Sequence, residues 1–405
     1  MEQHGVSRRA FLTSSGAAAV LPAAAAQERR AKAPLRFGLI GCGGRGRYVA
    51  TQLIQHGDAQ IVALADLVSD RVDAAHKQFD EILKKRGQPS LAASRLYRGV
   101  DSGPRLINSD VDAVLIAIIP YFYPGMLAEA VAAGKHVYCE KPVATDVAGA
   151  LRVMDLARRA EGSLVFHVGF QLRVVPALEE MVRRIHAGAI GRIVSGEGCF
   201  LYGGGRRQPP PGLSPAEARI RLWPGDRILS GDIIVEQNVH SIDKLNWVMR
   251  GHPEAAVATG GRGARDDFGD VWDHYNALIH YANNVTISFR STQFLRGWTD
   301  VAERFFGPKG SSESHYDGPV RIHGDEPWDA GVTGTRVGAE VFKSRLFVND
   351  ILSGNLRNEG RQGAESALSA MLVRAAAYER REVTWDQLLA SNQKWDPHIN
   401  LAALA

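Results

Sequence analysis

The sequence predicts a two-domain α/β protein. A doubly wound parallel sheet forms its N-terminal part, and an α+β domain with a large, mainly antiparallel open sheet follows. Three observations predict this fold class. Short apolar runs alternate with helical patterns through the first half of the chain. The first of these runs passes straight into a glycine-rich turn, Gly41-Cys42-Gly43-Gly44-Arg45-Gly46. Beyond about residue 165 the alternation gives way to longer strands with one face covered.

Residues 1–26 precede the predicted fold and read as an export leader. Ser7-Arg8-Arg9-Ala10-Phe11-Leu12 has the twin-arginine pattern, and a modest apolar stretch runs on to Val20-Leu21. Ala24-Ala25-Ala26 offers a small-residue cleavage site. The stretch is too short and too rich in Ala, Ser and Gly to span a membrane, so no stable membrane insertion is expected. The expected destination is the periplasm or the cell exterior, reached as a folded protein.

The first predicted domain covers 34–160. Its opening strand is Leu35-Arg36-Phe37-Gly38-Leu39-Ile40, and the turn after it spells G-x-G-x-x-G. In that setting Gly41 permits the tight turn, Gly43 lets the backbone approach a pyrophosphate, and Gly46 lets helix and strand pack closely. The helix that begins around Gly44 and Arg45 then points its free N–H groups at the phosphates. A second strand, 60–65, ends in Asp66, twenty residues beyond Gly46, where an acid accepts hydrogen bonds from the ribose hydroxyls of NAD. This is the Rossmann arrangement. A 2′-phosphate would meet like charge at Asp66, so NAD is preferred to NADP, although Arg71 nearby softens the preference. The alternative is a glycine-rich turn that holds no ligand. A helix around 70–86, a short strand at 95–97 and the continuous apolar strand 112–118 follow. A helix over 126–133 stops at Gly134, and strand 136–139 comes next.

The second predicted domain covers 161–405. Strands are predicted at 193–201 and within 276–289, the latter turning at Ala282-Asn283-Asn284. The glycine- and proline-rich stretch 203–212 is an irregular loop, read either as a lid or substrate rim or as a surface excursion. An amphipathic helix is predicted over 365–379, and the end of the chain is expected to pack back on the first domain.

Two segments carry side chains suited to chemistry. Glu140-Lys141-Pro142 follows the strand at 136–139, where a charged group projects into a cofactor crevice, and the proline restricts the direction of Lys141. A helix opening after Gly231-Asp232 and running to Met249 would place Glu236, His240, Asp243 and Trp247 on one face. Acid, histidine and acid together can hold a sugar hydroxyl and remove its proton. A neutral imidazole titrates near neutral pH, as such a base requires. The plain alternative is a solvated Glu236–His240 pair. No Cys/His spacing suggests a metal.

Composition excludes several classes. A net charge of +4 over 405 residues is no nucleic-acid signature. The 45% hydrophobic and 23% charged fractions are those of an ordinary soluble enzyme. Three cysteines make no disulfide framework, and Cys42 and Cys139, both near the C-terminal edge of one sheet, read as two buried thiols, with a bridge between them as the alternative.

Together these segments resemble the Gfo/Idh/MocA family of oxidoreductases over essentially all of the chain after the leader. The resemblance rests on Gly41–Gly46 and on Ala133-Gly134-Lys135-His136-Val137-Tyr138-Cys139-Glu140-Lys141-Pro142. It rests also on Gly169-Phe170-Gln171-Leu172-Arg173, on the Glu236/His240/Asp243 helix, and on the run from Arg374-Ala375-Ala376-Ala377-Tyr378 to Val383-Thr384-Trp385. It implies that Lys141 lies between nicotinamide and substrate and stabilises a developing alkoxide, with His240 as general acid/base. The implied cofactor residues are Gly41, Gly43, Gly44, Arg45, Gly46, Asp66, Ile119, Pro120, Glu140 and Lys141. The implied substrate residues are Gln171, Arg173, Glu236, His240 and Tyr123. The family usually has aspartate where this chain has Glu236, which reaches one methylene further. Tyr121-Phe122-Tyr123-Pro124 reads either as a stacking surface for a sugar or nicotinamide or as core. A homo-oligomer, dimer or tetramer, is implied through the open face of the second sheet.

The expected function is that of an NAD-dependent oxidoreductase acting on a secondary hydroxyl of a sugar or glycoside. An exported enzyme meets little free dinucleotide, so the cofactor is expected to be held tightly and recycled within the site. One alternative is a redox-assisted glycoside hydrolase, whose oxidation, elimination, hydration and reduction leave no net NADH. Another is a non-catalytic sugar-binding protein on the same scaffold.

Overall fold

The computed structural model describes residues 34–404 apart from 206, 336 and 337, so the segment expected to be an export leader lies outside the described residues. From Leu35 onward the chain forms one compact unit built around two sheets. No helix among the described residues is long and apolar enough to cross a membrane.

The first sheet contains β1 (Leu35–Ile40), β2 (Ala59–Asp66), β3 (Leu96–Arg98), β4 (Ala113–Ile116), β5 (His136–Cys139) and β6 (Phe166–Val168). All neighbours are parallel, in the order β3-β2-β1-β4-β5-β6. Strand side chains alternate between faces, and here both faces are covered. Val114 and Ile116 of β4 enter one apolar cluster while Ala113 and Leu115 enter another. Strand order reverses between β1 and β4, which opens a crevice at their carboxyl ends. The sheet also runs past the boundary expected at 160, because β6 pairs in parallel with β5.

The second sheet has nine strands: β7 (Ser195–Leu201), β8 (Ala255–Gly261), β9 (His274–Tyr281), β10 (Val285–Thr292), β11 (Asp300–Gly307), β12 (Gly310–His315), β13 (Val320–Gly324), β14 (Trp328–Asp329) and β15 (Val383–Thr384). Their order is β14-β13-β12-β11-β7-β10-β9-β8-β15, and only β7 with β10 is parallel. Buried and exposed residues alternate along β9 and β10, as one covered face requires. Asn283 and Asn284 turn the chain between them with φ of 62° and 58°, a left-handed backbone that matches strand twist.

Three helical segments depart from the predicted pattern for physical reasons. Helix Tyr123–Ala132 starts three residues early because Pro124 suits a first turn. Helix Gly360–Glu379 is longer than expected and buried on most sides, not amphipathic. It packs between helix Val147–Ala160 and β8, so Ala364, Ala367, Ala370 and Ala376 are small where neighbours approach. Within the stretch after β7, helix Pro215–Arg221 forms behind a Ser214/Glu217 capping box.

Candidate functional site

A cavity of about 610 Å³ opens at the carboxyl ends of β1, β2 and β4. The glycine turn forms part of its wall. Gly41 has φ +99°, and a Cβ there would stand 2.3 Å from the Ala117 carbonyl oxygen. A Cβ on Gly46 would stand 2.0 Å from the Gly41 carbonyl oxygen, so helix and turn touch only through glycine. At Gly43 and Gly44, by contrast, a Cβ would meet nothing within 4 Å. They lie at the start of helix Gly44–His56, whose N-cap has no side-chain hydrogen bond. Room and unused N–H donors are therefore left for an anion.

Asp66 ends β2 on the same cavity. Its Oδ2 accepts from the Cys42 N–H at 2.7 Å and its Oδ1 from the Val68 N–H at 2.9 Å. Burial raises its pKa, and each oxygen keeps a further acceptor position. An anion cradle beside a carboxylate that can take hydroxyl hydrogen bonds fits a dinucleotide. Gly41, Gly43, Gly44, Arg45, Asp66 and Ile119 all line this cavity.

A second cavity, of about 380 Å³, brings together Lys141, Glu236 and His240. Lys141 follows β5, and its peptide with Pro142 is cis. Its ammonium donates to the Glu236 backbone carbonyl at 2.6 Å and lies 3.6 Å from the Glu236 carboxylate. The His240 ring stands edge-on to Phe170 and Tyr316, with ring centres 6.0 and 6.4 Å away. Burial, and then the cations Lys141, Arg45 and Lys244, push the His240 pKa well below the usual histidine value. The neutral imidazole is thus the resting form and can accept a proton. One turn beyond, the nearly buried ion pair Lys244–Glu303 lies beneath Tyr316, the ammonium 5.5 Å from that ring centre.

The helix predicted to run unbroken to Met249 is two, Ile233–Glu236 and Val239–Met249. Asp232 sets the first of them. Its φ of 74° and ψ of 167° belong to a region normally left to glycine, at a cost of about 1–3 kcal/mol. The fully buried carboxylate accepts from the Ile233 N–H at 2.6 Å, the Trp272 N–H at 3.0 Å and the Tyr275 hydroxyl at 3.0 Å, and also from the Tyr378 hydroxyl. Four donors hold the strained turn that aims Glu236.

Several expected site residues lie elsewhere. Asp243 turns away from His240, since residues three apart on a helix differ by about 60° in direction. It accepts the Arg173 guanidinium at 2.8 and 3.0 Å, and Trp247 lies under that group at 5.3 Å. Arg173 is thereby drawn to a separate groove and does not face the Lys141 cavity. Gln171 lines neither cavity, and its amide oxygen is buried without a hydrogen-bond partner. Tyr123 is 2% exposed in the core, because the helix it begins packs that face inward. Its neighbour Phe122 lines the crevice instead, and the Tyr121 hydroxyl donates to the Trp395 carbonyl at 2.9 Å. Pro120 is buried in the turn it starts. Glu140, 2% exposed, does not project into the crevice but pairs with Arg45 at 2.7 Å. Arg45 also pairs with Glu340, so two buried carboxylates fix its guanidinium.

Other residues at these cavities carry no motif. Arg207, Asp300, Tyr316 and Asp317 line the Lys141 cavity from the segment after β7, from β11 and from the turn after β12. Gln237 had one signal, adjacency to Glu236. Ile220, Trp223 and Leu401 line the crevice from far along the chain. Cys42, Cys139 and Cys199 are free and buried.

Residues 35–170 match the model of the Gfo/Idh/MocA oxidoreductase family with an NAD-binding Rossmann fold, and residues 178–313 match the model of the Gfo/Idh/MocA C-terminal domain. The chain is 27% identical over 297 residues to inositol 2-dehydrogenase of Acidothermus cellulolyticus, covering 72% of this chain and 76% of that protein. It is 24% identical over 372 residues to myo-inositol 2-dehydrogenase of Thermotoga maritima, covering 88% and 100%. Its fold is similar to that of the aldose-aldose oxidoreductase from Caulobacter crescentus complexed with glycerol, with a TM-score of 0.68 and 21% identity over 86% of this chain and 99% of that one.

Proposed function

Because this chain belongs to the Gfo/Idh/MocA oxidoreductase family, with its NAD-binding Rossmann domain, we propose that it oxidises and re-forms a secondary hydroxyl of a sugar, glycoside or sugar-like polyol. The convergence of Lys141, Glu236 and His240 on one cavity carries this reading. Bound in the crevice, NAD supplies the hydride-accepting ring. Lys141 donates to the reacting hydroxyl, and its fixed charge stabilises the alkoxide as it develops. The Glu236 carbonyl holds that ammonium in place. Neutral His240 takes the hydroxyl proton and returns it in the reverse direction. The Glu236 carboxylate accepts from a neighbouring hydroxyl, and Arg207, Asp300 and Asp317 give the cavity the polar rim that a polyhydroxylated ligand needs.

Asp66 supports NAD over NADP. The twin-arginine pattern supports export and, with it, a cofactor recycled within the site by pairing an oxidation with a reduction. The name of the aldose-aldose oxidoreductase, similar in fold, agrees with such a pairing. Exposed Val257 and Leu278, paired across β8 and β9, support association through the open face of the second sheet.

The test is to incubate the full chain with sugars, inositols and glycosides, singly and in pairs, and to identify products and net NADH. Keto-sugars, lactones or sugar exchange are expected. Released aglycone without net NADH would replace this reading with redox-assisted hydrolysis, and an inert protein that still binds sugars would replace it with a binding role.

A further inference from the structure

The crevice has a wall that the parallel sheet does not supply. Ile220 lies in helix Pro215–Arg221 and Trp223 in the turn after it, both in the excursion between β7 and the Glu236 helix. Leu401 lies in the last turn of the chain, Leu401–Leu404. These side chains cluster with Leu67, Val68 and Phe122. Leu67 and Val68 directly follow Asp66. A ribose hydrogen-bonded to Asp66 would lie on one side of this cluster, and the region beyond would take the base of the dinucleotide. An apolar wall that includes an indole suits a flat, uncharged purine.

Polar contacts tie both segments down. Arg221 pairs with Asp70 at the start of the helix after β2, at 2.9 Å. Arg219 donates to the Pro397 carbonyl at 2.7 Å, joining the excursion to the tail. The Trp395 N–H donates to Asp146 at 2.8 Å, its carbonyl accepts from Tyr121, and the Arg374 guanidinium lies 4.0 Å above its ring. The same excursion carries Arg207 into the Lys141 cavity, so one segment borders both sites.

We propose that Ile220, Trp223 and Leu401 close the adenosine end of the crevice over NAD and keep the cofactor on the protein between turnovers. The inference rests on the NAD reading of the crevice and adds to it the residues that govern release. A base held behind this wall leaves only when the excursion and tail part, whereas sugars exchange through the other cavity.

The experiment is to purify the full chain without added nucleotide and to count the dinucleotide released on denaturation. Exchange of the retained NAD against excess radiolabelled NAD then gives a release rate. Near-stoichiometric NAD and slow exchange are expected for the wild type. Trp223→Ala and Leu401→Ala should each release NAD about tenfold faster or more, while their nucleotide-free forms melt where the wild type does. Trp223→Phe keeps a ring at the wall and should hold NAD close to the wild-type rate, which covers the case where alanine disturbs folding. Wild-type release rates in both alanine variants would overturn the wall and leave NAD binding standing. A wild-type chain that neither retains nor takes up NAD would overturn the reading of the crevice itself.

Discussion

The Asp66 crevice and the Lys141 cavity are built on opposite plans. The anion cradle and ribose acceptor come from one short stretch, 41–66, and depend on backbone: glycines without Cβ, a helix N-terminus and one carboxylate. The Lys141 cavity draws its side chains from stretches spread over 141–317, and depends on where charges end up after folding. Such a backbone turn fails when a single methyl is added at Gly41 or Gly46. A side-chain cavity tolerates reshaping of its rim but fails when one charge is lost. Within one fold, the cradle and the Asp66 carboxylate are therefore locally encoded, whereas the Lys141 cavity and the far wall of the crevice belong to the tertiary structure.

The largest expected effect falls on the cavity. Lys141→Ala should lower kcat by roughly a hundredfold or more, the worth of one preorganised charge-stabilising group, with NAD affinity by calorimetry close to the wild type. If Lys141→Ala and His240→Ala both keep wild-type turnover, the reaction does not occur here. The converse substitution is Gly46→Ala. Its Cβ, 2.0 Å from the Gly41 carbonyl oxygen, must displace the turn. Strain of about 1–3 kcal/mol there corresponds to a loss of roughly ten- to a hundredfold in NAD affinity. A Gly46→Ala chain that binds NAD normally would break the contrast between the two plans.

The same contrast governs how much of the molecule was legible in its sequence. β1, the glycine turn and Asp66 were readable because their spacing is local and each glycine has a steric reason to be there. Lys141, Glu236 and His240 were readable through short motifs. The bidentate Arg173–Asp243 pair was not, because its partners are distant and helix periodicity alone put Asp243 with His240. The break at Gln237 and Asn238 hid behind Asp232, which adopts a glycine-like backbone only because Tyr275, Tyr378 and Trp272 converge on it from other elements. Tyr123 gave no sign of its burial, since an aromatic after Ile119-Pro120 reads equally as core or as stacking surface. Helix Gly360–Glu379 was expected to be amphipathic over 365–379, and its burial on two sides by distant elements could not be read from that local pattern.

A smaller effect sharpens the cofactor side. Asp66→Ser removes the charge that a 2′-phosphate would meet, while its hydroxyl can still accept from the Cys42 N–H. The ratio of kcat/KM with NADP to that with NAD should rise by about tenfold, the scale of one partly screened charge. An unchanged ratio would assign cofactor choice to Arg71 or to residues beyond it.

The smallest effect concerns pH. His240 resists protonation because of burial and the cations Lys141, Arg45 and Lys244, and the carboxylates Glu236, Asp300 and Asp317 line the same cavity. The base works unprotonated, so depressing its pKa moves the acid limb of kcat/KM below the ordinary histidine range. Removing Lys244 alone would strand Glu303 in the core, whereas Lys244→Met with Glu303→Gln removes both charges together. The His240 pKa should then rise and the acid limb move to higher pH. A limb that stays in place would leave burial, Lys141 and Arg45 as the whole cause. Linkage provides an independent readout. An unfolded histidine, with a pKa of about 6.5, binds protons more readily than this buried one. Neutral His240 thus contributes stability above that pH, and the contribution is lost as the pH falls toward the folded value. The doubly substituted chain starts from a less depressed pKa, so its melting temperature should fall less between neutral and mildly acidic pH than that of the wild type.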